Sequence, residues 1–386
     1  MKILSFSYCF PNSASPTWGL FVYQRLKALA RMEQLQTCSP QPWFPLLKGQ
    51  AGRDSEDLFA DMKVHRPRFF YFPGVLKDSD AWFYCRGLRR WLQSFANGWP
   101  PDILDAHFVW PDGVAVAGLA HRFDIPYVIT LRGKIYECLK SASQTRQVTR
   151  ALQGAAAVIS VSSRMAEEAL RLGVDKDRLH VIPNGVNRQQ FLPRDKLECR
   201  RRLSLPEQGR LLVTVAHLGH RKGHHEVIQA LADLPDDVRL IIVGGAAQGG
   251  TVEELQTLAR SFGAGSRVIL PGAQPYDRVP HYFSAADASV LASYREGCPN
   301  AVLESLACGT PVVATDVGAV PDILPTPAAG RIVPVQQIEP LREAITSVIE
   351  TKWIAEDVVK MSGVRSWDEV AGDVQKVMKG VLSTKS

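Results

Sequence analysis

The chain has 386 residues, more than one hydrophobic core ordinarily serves, so two domains of common size are expected. Hydrophobic residues at 46% and charged ones at 22% exclude a disordered chain, and no apolar run is long enough for a membrane span. The formal charge of +6 suits an anionic ligand but by itself selects none.

Seven cysteines (Cys9, Cys38, Cys85, Cys138, Cys199, Cys298, Cys308) lie far apart with no Cys-x-x-Cys pair, which argues against a zinc ribbon or a disulfide framework and fits a reducing compartment. The first residues carry one charge and a short apolar run before turn residues. They read as a buried strand, not a signal peptide, so a cytoplasmic location is expected.

In chain order, a strand at 2–6 leads into Ser15-Pro-Thr-Trp-Gly19 and a helix at 19–32. Glycine at such a strand-to-helix turn lets backbone and ligand approach without an intervening β-carbon, although Gly19 alone is more often a plain turn residue. Residues 66–99 hold ten aromatics against six basic and two acidic residues. Tyr84, Leu88, Trp91, Leu92 and Phe95 follow helical spacing and are expected in the core. Arg86, Arg89 and Arg90 then fall near Trp82 and Phe83, a surface suited either to solvent or to anionic lipid.

Further strands are expected at 103–106, 127–130, 157–161 and 179–182, with a helix at 165–172. Asp105-Ala-His107-Phe-Val-Trp110 places His107 just past a strand, and Thr130-Leu-Arg132-Gly133 ends the next one. From 183 to 209, turn residues and the run Arg200, Arg201, Arg202 interrupt the alternation and mark the domain boundary. A second series of strands follows at 211–216, 239–243, 267–270, 288–291 and 311–314. Apolar, β-branched runs alternating with helical segments predict an α/β fold with parallel sheets, and ligands bound beyond the carboxyl ends of the strands.

Two loops of the second series carry chemistry. His217-Leu-Gly-His-Arg221-Lys222-Gly223 precedes a helix at 224–234, so main-chain amides and Lys222 are available to a diphosphate. Taken alone, a Lys-Gly pair is more often an ordinary basic surface loop. Glu296-Gly-Cys298-Pro299-Asn300-Ala301-Val302-Leu-Glu304 turns tightly and begins a helix near Asn300 that Gly309 ends. Its two glutamates lie eight residues apart, about 12 Å at helical rise, so they flank a ligand and form no close dyad. One sugar nucleotide satisfies the whole arrangement: diphosphate on Lys222 and the helix amides, ribose on Glu304, the transferred sugar on Glu296.

With these motifs the chain resembles the retaining glycosyltransferases of family four, in the form Glu-Gly-x-Pro-Asn-x-x-x-Glu followed by Ala-x-Gly-x-Pro-Val-Val-Ala-Thr. Val181-Ile-Pro-Asn-Gly-Val186 and Val317-Gly318-Ala-Val-Pro-Asp322 also match. The resemblance spans nearly the whole chain. It implies the GT-B type, two facing Rossmann-like domains with an interdomain cleft: an acceptor domain over 1–185 completed by a helix at 366–386, and a donor domain over 186–365. By resemblance Glu296, His107 and Lys222 are catalytic. Gly19, His217, Arg221, Gly272, Cys298, Pro299, Asn300, Ala301, Val302 and Glu304 join Glu296 and Lys222 around the donor, and the loop at 271–274 holds its base.

Arg132 and Trp110 are the acceptor-side candidates, although Lys134 and Ile135 replace the Ser and Asp of the related Thr-x-Arg-Gly-Ser-Asp element. His217 stands where many relatives carry an arginine, which brings a hydrogen bond without a fixed charge. The implied partners are a UDP- or GDP-sugar and a glycan or lipid-linked acceptor, with no metal, other cofactor or nucleic acid. Peripheral contact with the inner face of the membrane would run through 66–99. An epimerase of the same architecture and a catalytically idle nucleotide-sugar-binding module are the alternatives. No Gly-x-Gly-x-x-Gly follows the first strand, which disfavours a dinucleotide oxidoreductase.

Overall fold

The structure is a computed structural model that describes residues 1–12, 14–45, 62–247 and 250–383. Its contacts divide it into two units, Met1–Asn184 with Trp367–Ser386, and Gly185–Ser366.

The strands of the first unit are β1 (Lys2–Phe6), β2 (Gln34–Cys38), β3 (Gln41–Trp43), β4 (Val64–His65), β5 (Arg68–Phe70), β6 (Ile103–His107), β7 (Tyr127–Leu131), β8 (Ala157–Ser160) and β9 (Leu179–Val181). Seven form a parallel sheet in the order β4-β2-β1-β6-β7-β8-β9, while β3 and β5 pair separately. Its central strands are buried along almost their whole length because helices cover both faces. On one face Ile3, Leu29, Val128 and Ile159 pack against Trp367, Val374 and Met378 of the helix Trp367–Ser383. That helix is also tied by Arg31–Asp368 at 2.9 Å and by Gln375 donating to Glu33 at 2.6 Å.

The second unit has a six-stranded parallel sheet of β10 (Arg210–Val215), β11 (Val238–Val243), β12 (Val268–Gly272), β13 (Ala288–Leu291), β14 (Val312–Thr315) and β15 (Gly330–Val333), ordered β12-β11-β10-β13-β14-β15. Val213, Ile241, Leu291 and Ala314 face one core, and Leu212, Leu240, Val290 and Val313 the other. This alternation of neighbours to opposite faces is the period-two geometry of a strand.

Several expectations are corrected. The strand at 103–106 runs on through His107, and the first helix is Leu20–Ala30, with Gly19 outside it. The charged run Arg200, Arg201, Arg202, read as a break in the alternation, lies in the helix Lys196–Arg202, where Asp195 accepts from the Glu198 amide at 2.7 Å as N-cap. Arg200 is buried there because its guanidinium satisfies the Ala285, Glu207 and Gly209 carbonyls and the Asp287 carboxylate. Strands β2 to β5 and β15 were not foreseen. They are short or polar segments without an apolar run to betray them.

Candidate active site

In the second sheet, chain order runs outward in one direction from β10 to β12 and in the other from β13 to β15. The point of reversal lies between β10 and β13, and the loops that leave their carboxyl ends diverge and leave a crevice. These are the loops of Lys222 and Glu296.

Glycine contacts lock the two loops together. Gly223 has φ +70°, and a β-carbon there would sit 1.9 Å from the Ala292 carbonyl oxygen, so no other residue fits. The Tyr294 amide donates to the Arg221 carbonyl at 2.9 Å. From the next loop, Gly318 has φ +53° and would place a β-carbon 2.4 Å from the Gly297 carbonyl oxygen, while the Ala319 amide donates to that oxygen at 2.9 Å.

On this frame Lys222 Nζ meets Glu296 Oε1 at 2.6 Å, with both side chains partly exposed. The segment His220–Lys222, which carries Arg221 beside Lys222, is a 3-10 turn. The His217 carbonyl lies 3.1 Å from Nε2 of His224, the first residue of the helix His224–Ala232 that follows this turn. Partial desolvation, and then the Lys222 charge, lower the His217 pKa and keep the ring neutral near pH 7.

Pro299 caps the helix Asn300–Ala307, whose first turn starts beside Glu296. Glu304, a turn further in, accepts from the Tyr276 hydroxyl at 3.0 Å. Burial raises its pKa to about 7, against which the Tyr276 bond acts only partly. Gly272 ends β12 with φ +73°, and its carbonyl accepts from the Gly244 amide at 3.0 Å. Behind the Lys222 turn, the Tyr294 hydroxyl donates to Glu226 at 2.5 Å. Among the described residues no group of three or more His, Cys, Asp or Glu side chains is placed to hold a metal.

The first sheet also reverses, between β1 and β6. Here Arg25 and Asp105 form a buried ion pair at 3.1 Å, and His107 Nε2 lies 3.0 Å from Asp105 Oδ2. Burial alone would raise the Asp105 pKa, but His107, Arg25 and Ser5 together hold it below the ordinary carboxylate range. Burial pushes His107 down to about 3 despite Asp105, so its Nε2–H donates to the carboxylate. Its Nδ1 faces Arg132 Nη2 at 3.5 Å, and Arg132 Nη1 donates to Asn184 at 2.9 Å.

Two family models match the chain, Glycosyltransferase Family 4 over residues 17–190 and Glycosyl transferases group 1 over 195–362. TuaC of Bacillus subtilis, a glycosyltransferase named for teichuronic acid biosynthesis, is 31% identical over 365 residues, covering 90% of this chain and 88% of its own. The chain belongs to glycosyltransferase family 4. Solved structures agree on the GT-B fold. The sucrose-phosphate synthase of Thermosynechococcus elongatus has a TM-score of 0.79 at 21% identity, covering 100% of both chains. HepE of Anabaena in complex with UDP has a TM-score of 0.78 at 20% identity, covering 98% of this chain and 100% of its own.

In this glycosyltransferase the structure brings His217, Arg221, Lys222, Glu296 and the start of the helix Asn300–Ala307 into one set of neighbouring loops. Gly272 ends β12 of the same sheet, and Glu304 lies in the helix Asn300–Ala307 that follows β13. The first-unit candidates are distributed differently. His107 is 0% exposed with both ring nitrogens facing partners, and Arg132 is 4% exposed in the same network. Trp110 instead borders a cavity of that unit. Gly19 is explained by its own unit: with φ +74°, a β-carbon would lie 2.2 Å from the Cys9 carbonyl oxygen. Sequence reasoning missed Tyr276 and the Tyr294–Glu226 pair. Tyr276 lies 28 residues from its partner and carries no local signal.

Proposed function

We propose that this glycosyltransferase moves a hexose from a UDP- or GDP-sugar to a glycan or lipid-linked acceptor, with retention of anomeric configuration, in cell-surface polysaccharide or glycolipid synthesis. The observation that carries the reading is the Lys222–Glu296 pair at the reversal of the second sheet, with Glu304 one turn into the adjoining helix. HepE, solved with UDP and with UDP-glucose, supports the donor class, and the name of TuaC supports a polysaccharide setting.

Departure of the nucleotide breaks the C1–O bond and leaves its electron pair on a phosphate oxygen. Lys222 offers three N–H groups, enough to hold Glu296 and a phosphate oxygen together, and the first amides of the helix Asn300–Ala307 add positive potential. Charge stabilisation of the leaving group is the step that needs most help, and this cationic arrangement supplies it without a metal. Glu296 then accepts from hydroxyls of the transferred sugar and Glu304 from the ribose. The acceptor oxygen bonds to C1 from the side the nucleotide leaves, and its proton passes to a phosphate oxygen. His107 acts as a positioning residue, held by Asp105 and Arg132 at the carboxyl end of β6.

We place the enzyme in the cytoplasm, peripheral to the membrane's inner face. Trp82, Val75 and Leu76 are 54%, 58% and 57% exposed, and the Arg86 guanidinium lies 5.6 Å from the Trp82 ring centre. Such a mixed apolar and basic surface suits anionic lipid.

The test is to incubate the purified chain with UDP- and GDP-sugars and octyl glycosides, with and without EDTA, and to follow the anomeric protons by NMR. The expected result is nucleotide release, a new bond of the donor's configuration and no effect of EDTA. An inverted product contradicts retention, and an epimerised nucleotide sugar formed without acceptor contradicts transfer.

A further inference from the structure

A glutamate that receives a ligand binds best when its side chain is held before the ligand arrives, because ordering it afterwards costs affinity. Glu304 is held from outside its own helix. Tyr276, in the segment between β12 and the helix Val279–Ala285, donates its hydroxyl to Glu304 Oε1 at 3.0 Å. That one bond leaves about three of the four acceptor sites of a carboxylate free.

Tyr276 is itself firmly seated. Its ring centre lies 5.3 Å from that of the buried Phe191, and its carbonyl accepts from Gln190 Nε2 at 3.0 Å. Its side chain also packs on the core that contains Val302, Leu303 and Leu306 of the Glu304 helix. Phenylalanine would fill this place equally well without a hydroxyl, whose removal from water is costly unless it is bonded. The bond made is the one to Glu304. It also bears on charge: burial raises the Glu304 pKa to about 7, and the Tyr276 hydroxyl opposes that rise by donating to the ionised form. Tyr276 and Cys308, the titratable groups coupled to this carboxyl, are pushed up chiefly by burial and stay neutral.

We infer that Tyr276 is a positioning residue of the donor site, whose hydroxyl holds the Glu304 carboxylate ready to accept from the ribose. The inference rests on the reading of Glu304 as the ribose ligand. Tyr276 acts through Glu304 and not on the nucleotide sugar itself, so its effect on binding vanishes when Glu304 has no charge to hold.

The experiment compares the full chain with Tyr276→Phe, which keeps the ring and removes the bond, and with Glu304→Gln and the double variant. The first readout needs no ligand: the Glu304 carboxyl carbon, observed by NMR in protein labelled with carbon-13 glutamate and identified by its loss in Glu304→Gln, is titrated. Its midpoint should lie about one pH unit higher in Tyr276→Phe. The second is calorimetric affinity for UDP-glucose and GDP-mannose, whose diphosphates do not titrate near neutrality. Tyr276→Phe should bind one of them about fivefold less tightly than the wild type near pH 7 and almost equally near pH 9. In the Glu304→Gln background the same substitution should change nothing. An unmoved Glu304 midpoint, or a loss of affinity that persists in the Glu304→Gln background, overturns the inference. A raised midpoint with neither nucleotide sugar bound by the wild type overturns instead the donor reading on which it rests.

Discussion

At the scale of residues, Glu304 makes the sharpest statement. Its carboxyl has a folded-state pKa of about 7, above the ordinary 4.5, so the fold prefers it neutral. For an acid raised in this way the penalty is absent below the unfolded value and grows as pH rises from 4.5 through 7. Glu304→Gln should therefore raise the melting temperature by a few degrees at pH 8 and have little effect at pH 4.5, read by calorimetry. Ribose hydroxyls favour the ionised form, so nucleotide affinity should fall as pH drops below about 7 in the wild type and lose that dependence in the variant. Titration calorimetry in buffers of different ionisation enthalpy would register the proton released. A flat affinity profile would remove Glu304 from the ribose.

Lys222 and Glu296 belong to the same scale. Their ion pair is partly solvated, so its loss costs little stability. Lys222→Ala and Glu296→Ala should each melt near the wild type while transfer falls about 100-fold or more, in line with removal of a charge-stabilising group. Unimpaired turnover in either variant would remove that residue from the chemistry.

Among the elements, the loops at the carboxyl ends of the second sheet hold the site by backbone contact. Gly223→Ala combines a left-handed backbone with a β-carbon 1.9 Å from a carbonyl oxygen, and Gly318→Ala does the same at 2.4 Å. Gly272 has φ +73° but open space around its would-be β-carbon. Gly272→Ala should thus cost only about 1–2 kcal/mol for the αL backbone. Gly223→Ala and Gly318→Ala should cost more and also weaken nucleotide binding, because Ala292 or the Glu296 loop must move. Chemical denaturation and nucleotide titration of the three variants would separate the cases.

These elements also explain what the sequence disclosed. The strands β10, β11, β13 and β14 are mostly apolar runs buried on both faces, β12 is an apolar edge run, and the Glu296-to-Glu304 stretch carries its turn, helix start and helix end in consecutive residues, so all were legible. The helix Lys196–Arg202, inside the stretch 183–209, was missed because its charged residues hid an Asp195 cap and an Arg200 whose partners lie up to 87 residues away. Tyr276 was invisible for the same reason. His107 was recognised by motif, but its burial depends on Arg25, Asp105 and Arg132 meeting across three elements, which no local pattern encodes.

For the whole molecule, two α/β units each present a reversal of strand order, and each reversal holds a different chemistry. The first buries an ion pair and a histidine, with Asp105 at their centre. The second keeps a lysine and a glutamate partly open to solvent. No helix among the described residues is long and apolar enough to cross a membrane. Flotation with anionic vesicles should carry the wild type up and leave Trp82→Ala with Arg86→Ala behind, and failure of the wild type to float would end the lipid assignment.

In the proposed reaction the nucleotide sugar is held by Lys222 in the second unit. A ligand that binds only the native state raises its melting temperature. Thermal unfolding with a panel of UDP-, GDP- and ADP-sugars should show such a rise for at least one UDP- or GDP-sugar in the wild type and its loss in Lys222→Ala. No rise with any of them, or an equal rise in Lys222→Ala, would contradict it.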